Sequence, residues 1–381
     1  MRTTKQRTAI LLMALLAAVQ LLAPDRTFAQ HYTDYAFGAD LSFLKQVEDR
    51  GKKFKDGGVE KPGLQIFRDH GYNWMRLRIC VEPVGSGLPN NLEYTIAMAK
   101  EAKKLGFKFF LTFHYSNGWA DPRNEPTPAK WRGLSPEALV DAVFEYSRDT
   151  IAALRDADVL PDMVGVGNEV GNGMMMPVGK LPENWDNFAA LVQAGINGVD
   201  AGRGNFRRPK ILLHVDHGGD VFSCKKFFDK INAYGIPFDV IGVSFYPWSH
   251  GTLVDLKDNL AFLANEYHKE VMVVETGYYY VPSEFFKSSP PPFPETPEGQ
   301  KQWLEAVNEV VMQVPGRLGK GVFWWEPAAT RGLVTRGYFD TNGVALPVIE
   351  AFHKYTRPAQ RTDGQKRAEN PPSAVRFGPA P

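Results

Sequence analysis

Asp162-Met163-Val164-Gly165-Val166-Gly167-Asn168-Glu169 is the stretch on which the reading turns. A short apolar run, bounded by Pro161 and by glycines, reads as a buried strand. It ends in Asn168-Glu169, a carboxylate where a parallel strand would pass into a loop. A second apolar run, Val271-Met272-Val273-Val274, ends in Glu275-Thr276-Gly277. Two strands that each deliver a glutamate at the C-terminal end predict paired carboxylates facing one cleft. In a (β/α)8 barrel that face carries the chemistry. Paired carboxylates across a sugar ring are what cleavage of a glycosidic bond requires.

Working outward, the same strand-then-helix alternation recurs. Strands are predicted from Phe37, over Trp74–Val81 and Phe107–His114, through the Glu169 stretch, and over Ile211–Val215, Val240–Phe245, Val271–Glu275 and Gly321–Trp325. Helices are predicted at Pro62–His70, Asn90–Leu105, Ser135–Asp156, Trp185–Asp200, Cys224–Tyr234, Leu253–Tyr267, Thr296–Val314 and Pro347–His353. Lys52–Lys61, charged and Gly-rich, reads as a loop. Alternating βα units imply a parallel sheet, and eight of them a closed TIM barrel in a single domain over residues 30–356. A doubly wound sheet is the rival, but no Gly-x-Gly-x-x-Gly follows the first strand, which argues against a dinucleotide site.

The ends of the chain read differently. Arg2, Lys5 and Arg7 precede the apolar run Ala9–Val19, and Thr27-Phe28-Ala29 offers small residues for cleavage. Residues 1–29 are therefore read as a secretory signal, and the protein as secreted or periplasmic. Residues 357–381, rich in Pro, Arg, Gln and Ala, are read as a disordered tail. The formal charge of +1, with no basic patch in the body, argues against nucleic acid as a partner. No further run could span a bilayer, so no membrane contact is expected after cleavage, and a monomer is expected. Cys80 and Cys224 could bridge in an exported chain, but two unpaired thiols are the simpler reading. Two cysteines and no His-x-His cluster argue against a zinc site.

Glu169 and Glu275 are the candidate catalytic residues: one a buried, protonated general acid, the other an ionised nucleophile held by a cation. Arg76 and Arg78 alternate with apolar residues on one strand, so both share a face and either could supply that cation. His114, His214 and His217 stand at or beyond strand ends, where they could recognise hydroxyls or serve as structural hydrogen-bonding groups. Trp119, Tyr246, Trp248, Tyr278, Trp324 and Trp325 fall at the same rim. Aromatic rings there suit the apolar faces of sugars, and core packing is the alternative for each.

These motifs, in this order, resemble glycoside hydrolase family 53, the endo-β-1,4-galactanases of clan A. The matching pieces include Gly38-Ala39-Asp40-Leu41-Ser42, Arg76-Leu77-Arg78, Phe113-His114-Tyr115-Ser116, Trp119-Ala120-Asp121-Pro122, Gly167-Asn168-Glu169, Ser244-Phe245-Tyr246-Pro247 and Val274-Glu275-Thr276. The resemblance implies a (β/α)8 barrel that hydrolyses internal β-1,4-galactosidic bonds of galactan with retention and needs no cofactor or metal. It implies Glu169 as acid/base, Glu275 as nucleophile, Asn168 on the neighbouring hydroxyl and Arg78 holding the nucleophile, with the carboxyls roughly 5 Å apart. Arg78, His114, Trp119, Asn168, His217, Tyr246, Trp248, Tyr278 and Trp325 are then the expected substrate-binding residues. Several rim loops depart from the family pattern. Examples are Gly173-Met174-Met175-Met176-Pro177 after Glu169 and Tyr278-Tyr279-Tyr280 after strand seven. A clan A hydrolase of mannan or xylan, or a non-catalytic carbohydrate-binding barrel, are the alternatives. Some relatives hold calcium, but no Asp-rich ligand run supports it here.

Overall fold

The computed structural model describes residues 34–356, apart from 84–86, 124 and 329–330. The segments read as a signal (1–29) and as a tail (357–381) lie outside the described residues. Eight parallel strands close into a barrel: β1 (Ala36–Asp40), β2 (Trp74–Cys80), β3 (Lys108–His114), β4 (Met163–Gly165), β5 (Lys210–Val215), β6 (Val240–Ser244), β7 (Glu270–Thr276) and β8 (Gly319–Trp324). Each strand pairs with its sequence neighbours, and β8 returns to β1 with Gly38 opposite Phe323. Between them run α1 (Gly63–Asp69), α2 (Leu92–Lys104), α3 (Pro136–Asp156), α4 (Trp185–Gly202), α5 (Val221–Ala233), α6 (Leu253–Tyr267) and α7 (Pro297–Met312). The sequence's start signals work as caps. Ser135 accepts from the Ala138 N–H ahead of α3, Thr296 accepts from Gly299 ahead of α7, and Thr252 with Asp255 makes a capping box on α6.

The interior is layered because side chains two apart on a strand point the same way. The apolar layer is Ala36, Trp74, Phe110, Met163, Leu212, Val240, Met272, Val274 and Phe323. Gly38 completes it: a Cβ there would lie 2.3 Å from the Phe323 ring, so only glycine lets that ring fill the barrel. One step toward the strands' C-terminal ends the same faces turn polar. Asp40, Arg76, Arg78, Thr112, His114, His214, Ser244 and Glu275 are all buried there. Such groups are tolerated only if they bond one another, and that requirement organises the site.

Four expectations change. Lys52–Lys61 is not a plain loop: Phe54–Asp56 and Val59–Lys61 pair as a hairpin through Gly57-Gly58, both at positive φ as a tight two-residue turn demands. A short helix, Leu44–Asp49, follows β1 unannounced. The strand expected to run into Glu169 stops at Gly165. The last predicted helix is instead a 3-10 turn, Pro347–Glu350, and residues 353–356 form a short helix. Cys80 and Cys224 are buried and unpaired, and burial pushes both thiols up to about 12. Among the described residues no helix is long and apolar enough to cross a membrane.

Candidate active site

Glu275 owes its direction to an irregularity in β7. Val243 of β6 sits opposite Val273, but the next residue, Ser244, sits opposite Glu275. The extra residue lets Val274 face the apolar layer and Glu275 still face inward above it. Its Oε1 accepts from Arg76 Nη1 at 2.7 Å and its Oε2 from the Tyr246 hydroxyl at 3.1 Å. Arg76 is fixed on every side. Nη1 also meets Asp40 at 3.0 Å, Nη2 donates to Asn168 Oδ1 at 2.8 Å, and Nε to Thr112 at 3.1 Å.

Glu169 stands four residues past β4, on backbone that Gly167 turns at φ +84, where a Cβ would strike Val170 at 2.4 Å. Glu169 itself is left-handed (φ 50, ψ 43), a conformation uncommon for a residue with a side chain. Its Oε1 accepts from the Ser244 hydroxyl at 2.6 Å, and that hydroxyl lies 2.9 Å from His214 Nε2. Ser244 has one proton and gives it to Glu169, so His214 must donate from Nε2. Burial holds His214 far below the usual imidazole range, so it does this as a neutral ring. The Glu169 carboxyl is pushed well above the ordinary range, by burial first and by the negative charge of Glu275 second. With Oε1 occupied by Ser244, Oε2 is the oxygen left to carry the proton.

Asn168 brings the two halves together, accepting from Arg76 and donating to the Ala120 carbonyl at 3.0 Å. His114 bonds Asn168 and is likewise held neutral, by burial and by the charges of Arg78 and Arg76. Its Nδ1 is buried and finds no hydrogen-bond partner among the described residues. His217 lies farther out, 3.4 Å from Asp216 and beside Gly171. Trp248 stacks on Tyr246 at 5.1 Å, and Trp119 meets Trp325 at 5.7 Å, so both aromatic pairs line the rim.

Two expected roles are corrected. Arg78 does not hold Glu275, the expected nucleophile; Arg76 does. The two share a face, but Arg76 is one layer deeper and level with Glu275. Arg78 instead bonds Glu326 and, at 3.3 Å, Asn90, with its guanidinium carbon over the adjoining rings of Phe43 and Trp119. Tyr278 does not line the cleft. It is fully buried, stacks on Trp303 of α7 and ties its hydroxyl to the backbone of Phe293. The irregularity at Val274–Glu275 shifts the alternation expected beyond the strand, and Tyr279 takes the rim position, 5.1 Å from Trp248. The sequence reading also missed Asp40, Ser244 and Glu326. Glu326 had a signal, a carboxylate directly after the Trp324-Trp325 strand end; Ser244 had its strand-end position and its place at the head of the Ser244-Phe245-Tyr246-Pro247 piece. Among the described residues the cleft gathers no three His, Cys, Asp or Glu side chains closely enough to hold one ion.

Comparison with known proteins agrees with this geometry. The model of glycosyl hydrolase family 53 matches residues 36–353. A Niallia circulans protein described as uncharacterized, from the bgaB 5' region, is 40% identical over 77% of this chain and 84% of its own length. The probable arabinogalactan endo-β-1,4-galactanase A of Aspergillus terreus is 36% identical over 77% of this chain and 86% of its own. A solved fungal β-1,4-galactanase superposes with a TM-score of 0.79 at 32% identity, covering 85% of this chain and 99% of that one. The chain belongs to glycosyl hydrolase family 53.

Proposed function

We propose that this protein cleaves internal β-1,4 bonds between galactose units, with retention, Glu169 acting as acid/base and Glu275 as nucleophile. The names of its relatives support the substrate class. One observation carries the chemistry: a glutamate whose carboxyl is held protonated stands beside a glutamate whose two oxygens receive an arginine and a tyrosine hydroxyl. The first group is equipped to give a proton to the leaving glycosidic oxygen while the second attacks the anomeric carbon. Once Glu275 is an ester its charge is gone, and with it one of the two main causes that hold Glu169's proton. Glu169 then becomes the base that takes a proton from the incoming water. Arg76, released from its counter-charge, keeps Asp40 and Asn168 and so holds the frame through the cycle.

The test is reducing-sugar release from linear β-1,4-galactan by wild type and Glu275→Gln, with the anomeric form of the first product read by NMR. Loss of turnover in the variant and a β-product in wild type are expected; an α-product would sink the double displacement. Activity should fall on the alkaline side only above the ordinary carboxyl range, where Glu169 finally loses its proton. Export is part of the same proposal, supported by residues 1–29, and the N-terminal sequence of the mature chain from a secreting host decides it.

A further inference from the structure

Among the described residues, three arginines stand in or around the cleft, and they are not alike. Arg76 meets Glu275 and Asp40, and Arg78 meets Glu326 with Asp40 beyond it. Arg336, at the end of the 3-10 turn Arg331–Arg336 that follows β8, meets no carboxylate and no hydrogen-bond acceptor among the described residues. It is held by rings instead. Its guanidinium carbon lies over Trp325 at 5.1 Å and over Trp248 and Tyr279 at 5.6 Å each. Ring faces grip a guanidinium through its flat sides and leave the N–H edge free.

The location matters as much as the charge. Trp248 stacks on Tyr246, whose hydroxyl is on Glu275, so Arg336 is two rings from the nucleophile. β8 lies across the barrel from β4, which puts Arg336 opposite the proton donor. That is the side for the sugars that keep the anomeric carbon, since the leaving group must lie by Glu169. A half-buried cation without a counter-charge, set in a wall of aromatic rings, matches a planar anion. Two hydroxyls would satisfy its geometry, and only a carboxylate also satisfies its charge.

We propose that Arg336, Trp248, Tyr279 and Trp325 form a subsite for an acidic sugar, a uronate carried on the galactose chain, whose carboxylate takes the Arg336 fork. This rests on the galactan-cleaving reading above. The test compares kcat/KM on galactan oligosaccharides bearing a glucuronate with the same oligosaccharides after carboxyl reduction, which keeps the sugar skeleton and removes the charge. Wild type should prefer the acidic form by about tenfold, the size of one charge-assisted bidentate contact. Arg336→Gln should bring the ratio near one, and Arg336→Lys should keep part of it. High salt should shrink the wild-type preference. Cleavage of the neutral form with no preference for the acidic one in wild type would overturn this subsite and leave the galactanase reading standing. A preference that survives in Arg336→Gln would overturn the role of Arg336. Failure of wild type on both forms would overturn the galactanase reading, and the subsite with it.

Discussion

Arg76 and Arg78 lie two residues apart on β2, face the same interior, are both 1% exposed and both reach toward Asp40. Yet they serve different parts of the molecule. Arg76 is bonded along its edge to Glu275, Asp40, Asn168 and Thr112, at or beside the proposed reacting centre. Arg78 lies against the adjoining rings of Phe43 and Trp119, and it bonds Glu326 and Asn90. One guanidinium aims a carboxylate into the cleft; the other props an aromatic wall. A step of one layer, about two strand residues or 7 Å, separates the proposed catalytic layer from its support.

The largest effect that would break this contrast comes from replacing each arginine by glutamine. Arg76→Gln strips Glu275 of its cation and should lower kcat on the order of 10²–10³-fold, the scale seen when one preorganised electrostatic partner is lost. Arg78→Gln should lower kcat less than about tenfold and act mainly on KM, because it touches the substrate only through Trp119. Both should lose roughly 3–5 kcal/mol of stability, since each leaves buried carboxyls without their partner. Steady-state kinetics with urea unfolding separates the two. Equal losses of kcat would mean that the layers are not functionally distinct.

Next in size is a pH effect that belongs to the Arg78 layer alone. Burial raises the Glu326 carboxyl to about 8, against an ordinary value of 4.5 and despite Arg78 beside it. A folded state that binds a proton more tightly than the unfolded chain is favoured while the proton is on. Glu326 therefore contributes stability below about pH 4.5 that is lost as pH rises toward 8. Across that interval the loss should be on the order of a few kcal/mol. Glu326→Gln keeps the shape without the titration, so its melting temperature should depend less on pH between 5 and 8 than that of wild type. An unchanged pH dependence would show that Glu326 is ionised throughout and that the Arg78 pair is a true ion pair.

The same contrast explains what could be read from sequence. The eight strands were legible because buried parallel strands are short apolar runs between turn residues, and the caps at Ser135 and Thr296 follow from side-chain chemistry alone. Glu275 was legible as a strand-end carboxylate, and Glu169 as a carboxylate just past a strand. The choice between Arg76 and Arg78 was not: alternation gives the face, whereas depth depends on how neighbouring strands are staggered. Tyr278 was misplaced for a related reason, since one extra residue at Val274–Glu275 resets the alternation and leaves no mark in composition. Ser244 and Glu326 matter through partners 75 and 248 residues away, and such pairings appear only when the barrel closes.

The smallest expected effect is the sharpest test of the division. Trp119 is 39% exposed, packs over Arg78 at 4.5 Å and meets Trp325 at a tilt, 5.7 Å between ring centres. Trp119→Ala removes that ring and its grip on the guanidinium, a contact worth about 0.5–2 kcal/mol. No bond to Arg76, Asn168, Glu169 or Glu275 passes through it. A group that holds a sugar equally well before and during reaction changes KM and leaves kcat alone. The expected result is therefore a several-fold rise in KM on galactan oligosaccharides with kcat within about twofold of wild type. A fall in kcat at unchanged KM would mean that the wall helps to shape the transition state. Arg78, Glu326 and Trp119 would then belong to the catalytic layer, and the distinction drawn from β2 would fail where it is most exposed.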